Sequence, residues 1–246
     1  MPVTHYSSLV TSTMSSDLST LSILGFGFLL GLWHAKDPDH LAAVSTIVAE
    51  KKNLLTSMIV GGYWGAGHTI AILTVGAIVI FLKLQISETL EARLEALVGV
   101  MLVILGANAL RKLFQQSKIH LHTHEHDGVR HTHLHTHEDE KKEESHHIER
   151  FSPRSVIIGM VHGLAGSAGV MLLVLPTIDT PAIALLYIVL FGIGSIAGMM
   201  LMSLLIGLPI HITSGKFNAL NNTILGAAGF LSLALGVFII YEKLLV

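Results

Sequence analysis

Six stretches of this chain stay predominantly apolar for about 20 residues or more, at about 20 to 49, 54 to 82, 90 to 110, 155 to 178, 182 to 210 and 222 to 241. A helix needs roughly 20 apolar residues to cross the hydrocarbon of a bilayer, and a soluble helix rarely stays apolar on every face for that long. The expected fold is therefore all-α: a polytopic membrane protein with about six transmembrane helices. Composition agrees, with 51% hydrophobic residues, 13% charged and a mean hydropathy of +0.66. A formal net charge of -2 with no basic face excludes a nucleic-acid partner. There is no cysteine, so any metal site must be built from nitrogen and oxygen donors.

The expected domains follow the apolar runs. Residues 1–19 form a polar N-terminal tail without Lys or Arg, which lacks the basic start of a signal peptide. Residues 20–113 hold three spans and residues 153–246 hold three more. Between them, residues 114–152 form a linker of different composition, and ten of the chain's 16 histidines fall between Ser117 and Arg150. On composition this histidine-rich linker binds metal as a solvated chain without fixed geometry.

The two halves resemble each other. Gly31-Leu32-Trp33-His34 stands against Gly159-Met160-Val161-His162, Trp64-Gly65-Ala66-Gly67-His68 against Phe191-Gly192-Ile193-Gly194-Ser195, and Gly99 and Gly106 against Gly229 and Gly236. Similar offsets in order point to a duplication, and an odd number of spans per copy turns the second copy upside down. The expectation is two inverted three-helix repeats.

Orientation comes from the basic residues. Lys51, Lys52, Arg111, Lys112, Lys118, Arg130, Lys141, Lys142, Arg150, Arg154 and Lys216 gather at one membrane face, against Lys83, Arg93 and Lys243 at the other. Positive residues stay inside, so the linker is expected in the cytoplasm and both termini on the other side.

The strongest chemical signal is His34-Ala35-Lys36-Asp37-Pro38-Asp39-His40, which sets two imidazoles, two carboxylates and a lysine inside an apolar run. Ionisable groups at membrane depth are costly and mark ion paths or relays. Pro38 removes a backbone donor and disfavours helical geometry at Asp37, so the helix is expected to break there. In an unbroken helix Asp37 shares a face with His34 and with His40 while Asp39 points away; a break brings Asp39 round. Imidazole favours nickel, cobalt, zinc or copper, whereas carboxylates alone favour magnesium, calcium or manganese. The mixture argues for the first group.

These residues carry a resemblance. HAKDPDH is similar to the HAxDADH signature of the nickel/cobalt transporter family, with proline at position 38 in place of the usual small residue, and Gly67-His68-Thr69 matches that family's second motif. The second half departs from it: His162-Gly163-Leu164-Ala165-Gly166-Ser167-Ala168-Gly169 resembles the related branch of membrane proteins associated with urease nickel supply. The resemblance implies a secondary permease carrying Ni2+ or Co2+ as transported substrate, with no tightly bound cofactor. It implies metal-site roles for His34, Asp37, Asp39, His40, His68 and His162. Uptake is the expected direction, because related exporters lack the second Asp-His pair that Asp39 and His40 supply; efflux is the alternative.

Other polar residues have plainer readings. His68 and His162 lie among glycine and alanine, where helices pack closely, so each has a packing role to weigh against a site role. Asn108 and Asn222 fall near helix ends, and His211 follows Pro209 at the membrane edge. An intramembrane hydrolase using Ser167 and His162 is a remote alternative; the chain has no HExxH pattern and no carboxylate beside Ser167 in sequence. A GxxxxGK[ST] motif is also missing, which argues against ATP hydrolysis by this chain. The expected partners are a divalent transition-metal ion and the lipid bilayer, with a homo-oligomer or an energising chain left open.

Overall fold

The computed structural model describes residues 20–49, 53–84, 86–116, 120–126, 129–135, 153–165, 178, 180–213 and 218–245. Seven helices run through them: α1 (Thr20–His34), α2 (Pro38–Val48), α3 (Leu54–Leu82), α4 (Glu88–Gln116), α5 (Pro153–Ala165), α6 (Pro181–Thr213) and α7 (Asn218–Leu245). Two short antiparallel strands, β1 (His120–His126) and β2 (Val129–His135), lie in the linker.

Four helices are long and apolar enough to cross a membrane, within α3, α4, α6 and α7. Ile70, Phe81, Ile104, Leu205 and Phe238 stand exposed on their surfaces. A surface this apolar is at home in lipid rather than water, and the chain is an integral membrane protein. Of the six expected spans, the first is two helices, α1 and α2. The fourth is described only as α5, and its expected continuation through residues 166–177 lies outside the described residues, as do residues 1–19.

Local sequence sets the helix ends. The Asn53 side chain accepts a hydrogen bond from the Leu55 N–H at 2.8 Å, capping α3, and such caps satisfy an otherwise orphaned donor. Pro153 and Pro181 begin α5 and α6, where proline's missing N–H costs nothing. The break in the first span falls immediately before Pro38, as the proline predicts. Asp37 takes φ -58 and ψ 143, so its chain direction is extended, and Pro38 begins the next helix. The Lys36 and Asp37 N–H groups close a turn onto the Trp33 and His34 carbonyls at 3.0 Å.

α3 packs along α6 and α5, and α4 lies along α7, while α2 wedges between α4, α6 and α7. Trp64, Leu102, Leu105, Val44, Met199 and Ile210 form the buried core between these elements. Glycines set the crossings, and they do so reciprocally. A Cβ on Gly99 would stand 2.8 Å from the Gly236 carbonyl oxygen, and one on Gly236 would stand 2.5 Å from the Gly99 oxygen. Gly31 of α1 abuts the Phe191 carbonyl of α6, and Gly159 of α5 abuts the Trp64 carbonyl of α3. Gly194 likewise meets Phe28 while Gly67 meets Val156. In each case the residues that match between the halves of the sequence make the matching contact, so each half leans its leading helix on the middle helix of the other.

Candidate metal centre

The break between α1 and α2 places His34 at the end of one helix and His40 in the first turn of the next, with their ring centroids 4.4 Å apart. His68 comes from the centre of α3, 5.3 Å from the His34 ring and 5.2 Å from the His40 ring. His162, from α5, lies 4.0 Å from the His40 ring and 5.8 Å from that of His68. All four imidazoles are buried. Two helices of the first half, the break between them and one helix of the second half thus converge on one point, at the depth of the middle of α3.

The carboxylates orient this cluster. Asp39 Oδ1 lies 3.0 Å from His40 Nδ1, and Asp39 Oδ2 lies 3.0 Å from His162 Nε2. His34 Nδ1 is 2.7 Å from Asp37 Oδ2. An ionised carboxylate only accepts hydrogen bonds, so these three ring nitrogens carry the proton. The opposite nitrogens, His34 Nε2, His40 Nε2 and His162 Nδ1, are then left as lone pairs, and together with both nitrogens of His68 they have no hydrogen-bond partner. Leaving a buried polar atom unpaired costs about 1–3 kcal/mol, and such atoms are rare in native structures. One His68 nitrogen carries a proton in the neutral ring, so the four imidazoles offer up to four lone pairs, a donor set that suits a cation. One nitrogen each from His34, His40 and His68 lies within 4.8 Å of the others, and so do donor atoms of Asp39, His40 and His162. His40 belongs to both groups.

Every sequence-predicted site residue is therefore at or beside the cluster, but the carboxylates differ in setting. Asp39 is shared between His40 and His162, whereas the Asp37 side chain, 45% exposed, sits at the rim and touches His34. Lys36 faces away, with Nζ 3.6 Å above the exposed Trp33 ring. Ser195, the sequence counterpart of His68, is fully buried and its hydroxyl has no partner. His211 is exposed and Asn108 and Asn222 are half-buried, while Ser167 lies outside the described residues.

Two aromatic neighbours were missed by sequence reasoning. Trp64 packs 5.3 Å from His40 and 5.4 Å from His162, and Phe191 lies 5.4 Å from His34. Trp64 served only as a repeat marker, yet it stands four residues before His68, a spacing that places both on one helix face. Phe191 is its sequence counterpart in the second half. Both rings are themselves buried, and apolar surroundings of this kind strengthen charge interactions inside them.

Fold and site together define a class: an integral membrane protein with four imidazoles and a carboxylate packed at mid-helix depth. Comparison with known proteins narrows this. The chain is 39% identical over 231 residues to the urease accessory protein UreH of Bacillus sp. (strain TB-90), covering 90% of this chain and 92% of that one. It belongs to the UreH family of urease accessory proteins. It is also 25% identical over 221 residues to the Chloroplast protein FOR GROWTH AND FERTILITY 2 of Arabidopsis thaliana, covering 88% of this chain but about half (55%) of that longer protein. No family model and no solved structure matches the chain.

Proposed function

We propose that this chain is a secondary permease that carries Ni2+ or Co2+ across the membrane, in the direction of uptake, through the buried histidine cluster. The observation that carries the reading is the set of unpartnered nitrogens on the buried His34, His40 and His68, three residues whose donor atoms lie within 4.8 Å of one another. Imidazole donors favour borderline ions such as nickel and cobalt. The half-buried Asp39 charge offsets part of the ion's charge where neutral imidazoles alone would leave both positive charges uncompensated. A relationship to a urease accessory protein agrees with the resemblance of the second half to proteins of urease nickel supply.

In this reading His34, His40 and His68 are the ligands. Asp37 and Asp39 act chiefly by fixing which ring nitrogen is free, as carboxylates behind metal-bound histidines do. His162 completes the site from the second half, either as a partner that holds Asp39 or as a donor through Nδ1. Asp37 at the exposed rim marks the entrance. The reciprocal glycine crossings between the halves support two inverted three-helix repeats around this site, a plan that transporters use for alternating access. The distribution of basic residues supports a cytoplasmic histidine-rich linker with both termini on the other side.

Flux into proteoliposomes tests the reading. Purified protein in sealed vesicles is expected to move Ni2+ or Co2+ across the bilayer, and protein lacking His34, His40 and His68 is expected not to. Folded parent protein that moves neither ion under an imposed ion or pH gradient would overturn it.

A further inference from the structure

The break in the first span carries two residues for which the proposed function has no use, Trp33 and Lys36. The Lys36 N–H closes the turn onto the Trp33 carbonyl at 3.0 Å, and Lys36 Nζ stands 3.6 Å from the centre of the Trp33 ring. A cation above an indole face is held there by the ring's quadrupole. Lys36 is exposed, Trp33 is 66% exposed, and the Asp37 and Asp39 side chains are 45% and 24% exposed. Two carboxylates and an ammonium group thus share one open edge of the molecule.

That edge lies deep in the membrane. At about 1.5 Å per residue α1 is roughly 22 Å long, shorter than the roughly 30 Å of bilayer hydrocarbon. It ends at His34, beside His68 at the centre of α3. Ionisable groups at such depth face the interior of a bundle or a water-filled cavity, because contact with lipid is costly. Lys36 does not face the interior, so water reaches it. The edge is then a wet mouth that leads to His34 past Asp37. Chain geometry sets the scale: Lys36 adjoins Asp37 and Trp33 adjoins His34, and consecutive Cα atoms are about 3.8 Å apart, which puts the ammonium group on the order of 10 Å from the cluster.

We propose that Lys36 is a resident positive charge of this mouth, parked on Trp33, which weakens the cluster's hold on a divalent cation so that the ion can leave. An ion path needs binding strong enough to admit the ion and weak enough to release it. Four buried imidazoles and a carboxylate meet the first condition; Lys36 serves the second. One charge acting on a divalent ion across about 10 Å, at a dielectric between about half that of water and water itself, changes affinity about 3- to 15-fold. Trp33 keeps the ammonium group off Asp37, where it repels the ion without pairing with the carboxylate at the entrance. Lys36 acts on the ion through its charge and is not a ligand. The release step rests on the permease reading, whereas the effect on binding does not.

Equilibrium Ni2+ binding and Ni2+ flux separate the two. Both are measured on the full-length chain, binding by titration calorimetry in detergent and flux in proteoliposomes. The cluster's binding is the component lost when His34→Ala, His40→Ala and His68→Ala are added to each chain. Lys36→Gln is expected to tighten that component about 3- to 15-fold, to lower the Ni2+ concentration that half-saturates flux and to lower maximal flux. Lys36→Arg keeps the charge and the stacking and should behave as the parent. Trp33→Leu frees Lys36 to pair with Asp37 and should weaken binding several-fold, an effect that should vanish when Lys36→Gln is also present. Cluster binding in Lys36→Gln that is weaker than, or within twofold of, the parent would overturn the proposal, as would an equal effect of Trp33→Leu with and without Lys36. A parent that binds Ni2+ at the cluster but shows no flux would overturn the permease reading and the release step with it, while tighter binding in Lys36→Gln would still assign the charge its effect on affinity.

Discussion

The two halves of the chain share crossings but not chemistry. Gly31 meets Phe191 as Gly159 meets Trp64, and the two pairs of glycines on α4 and α7 meet each other. Yet the first half supplies His34, Asp37, Asp39, His40 and His68, while the described second half supplies His162, with Ser195 where His68 would stand. Backbone packing is preserved because a Cβ at these glycines would collide with a carbonyl of the partner helix. Donor atoms are not needed in duplicate around a single ion. The contacts that match between the halves thus lie in the backbone crossings, and the proposed metal donors lie almost wholly in the first half.

That contrast breaks most clearly at the first-half imidazoles. His40→Ala and His68→Ala each remove a fully buried ring with an unpartnered nitrogen and are expected to lower Ni2+ or Co2+ flux 10 to 100-fold or more, measured in proteoliposomes with matched protein density. Ser195→Ala, at the position opposite His68, should leave flux within about threefold of the parent, as a change at a small packing residue does. Equal losses at positions 68 and 195 would erase the distinction between the halves.

Asp39→Asn comes next in size. It keeps the volume but removes the charge and puts a donor opposite one ring proton, so His40 and His162 lose their common acceptor; a flux loss of about tenfold is expected. Asp39→Glu keeps the charge and displaces the oxygens by a methylene, and should recover part of that loss at raised metal concentration. If Asp39→Asn transports like the parent, the carboxylate neither orients the rings nor offsets the ion's charge.

His162→Ala sharpens the comparison, since it is the second half's contribution. Removing it frees Asp39 Oδ2 while leaving the His34, His40 and His68 nitrogens in place, so a smaller loss is expected, several-fold and chiefly in apparent affinity. A loss as large as that of His40→Ala would make His162 a ligand of equal standing and would bring the second half fully into the site.

Much of this was legible beforehand, for reasons that particular residues make plain. Apolar length alone marks α3, α6 and α7, because nothing but lipid accommodates helices that are apolar all round. Pro38 locates the break, since its ring acts on Asp37 locally and tertiary structure need not be known. His34, His40 and His68 stand out because imidazole at membrane depth is costly. What could not be read is which carboxylate serves which ring. Asp39 bonds its neighbour His40 and also His162 across the molecule, and only the crossing of α5 over α3 brings that second partner within reach.

The central claim is that buried imidazoles hold the transported ion, and Ni K-edge X-ray absorption addresses it directly. With residues 119–147 replaced by Gly and Ser so that the linker holds no histidine, the spectrum of the Ni2+-loaded protein should show the multiple-scattering signature of about three imidazole ligands. That signature should disappear, along with saturable binding, in the same chain carrying His34→Ala, His40→Ala and His68→Ala. A shell of oxygen donors alone, or an imidazole signature that survives the triple substitution, would contradict the account.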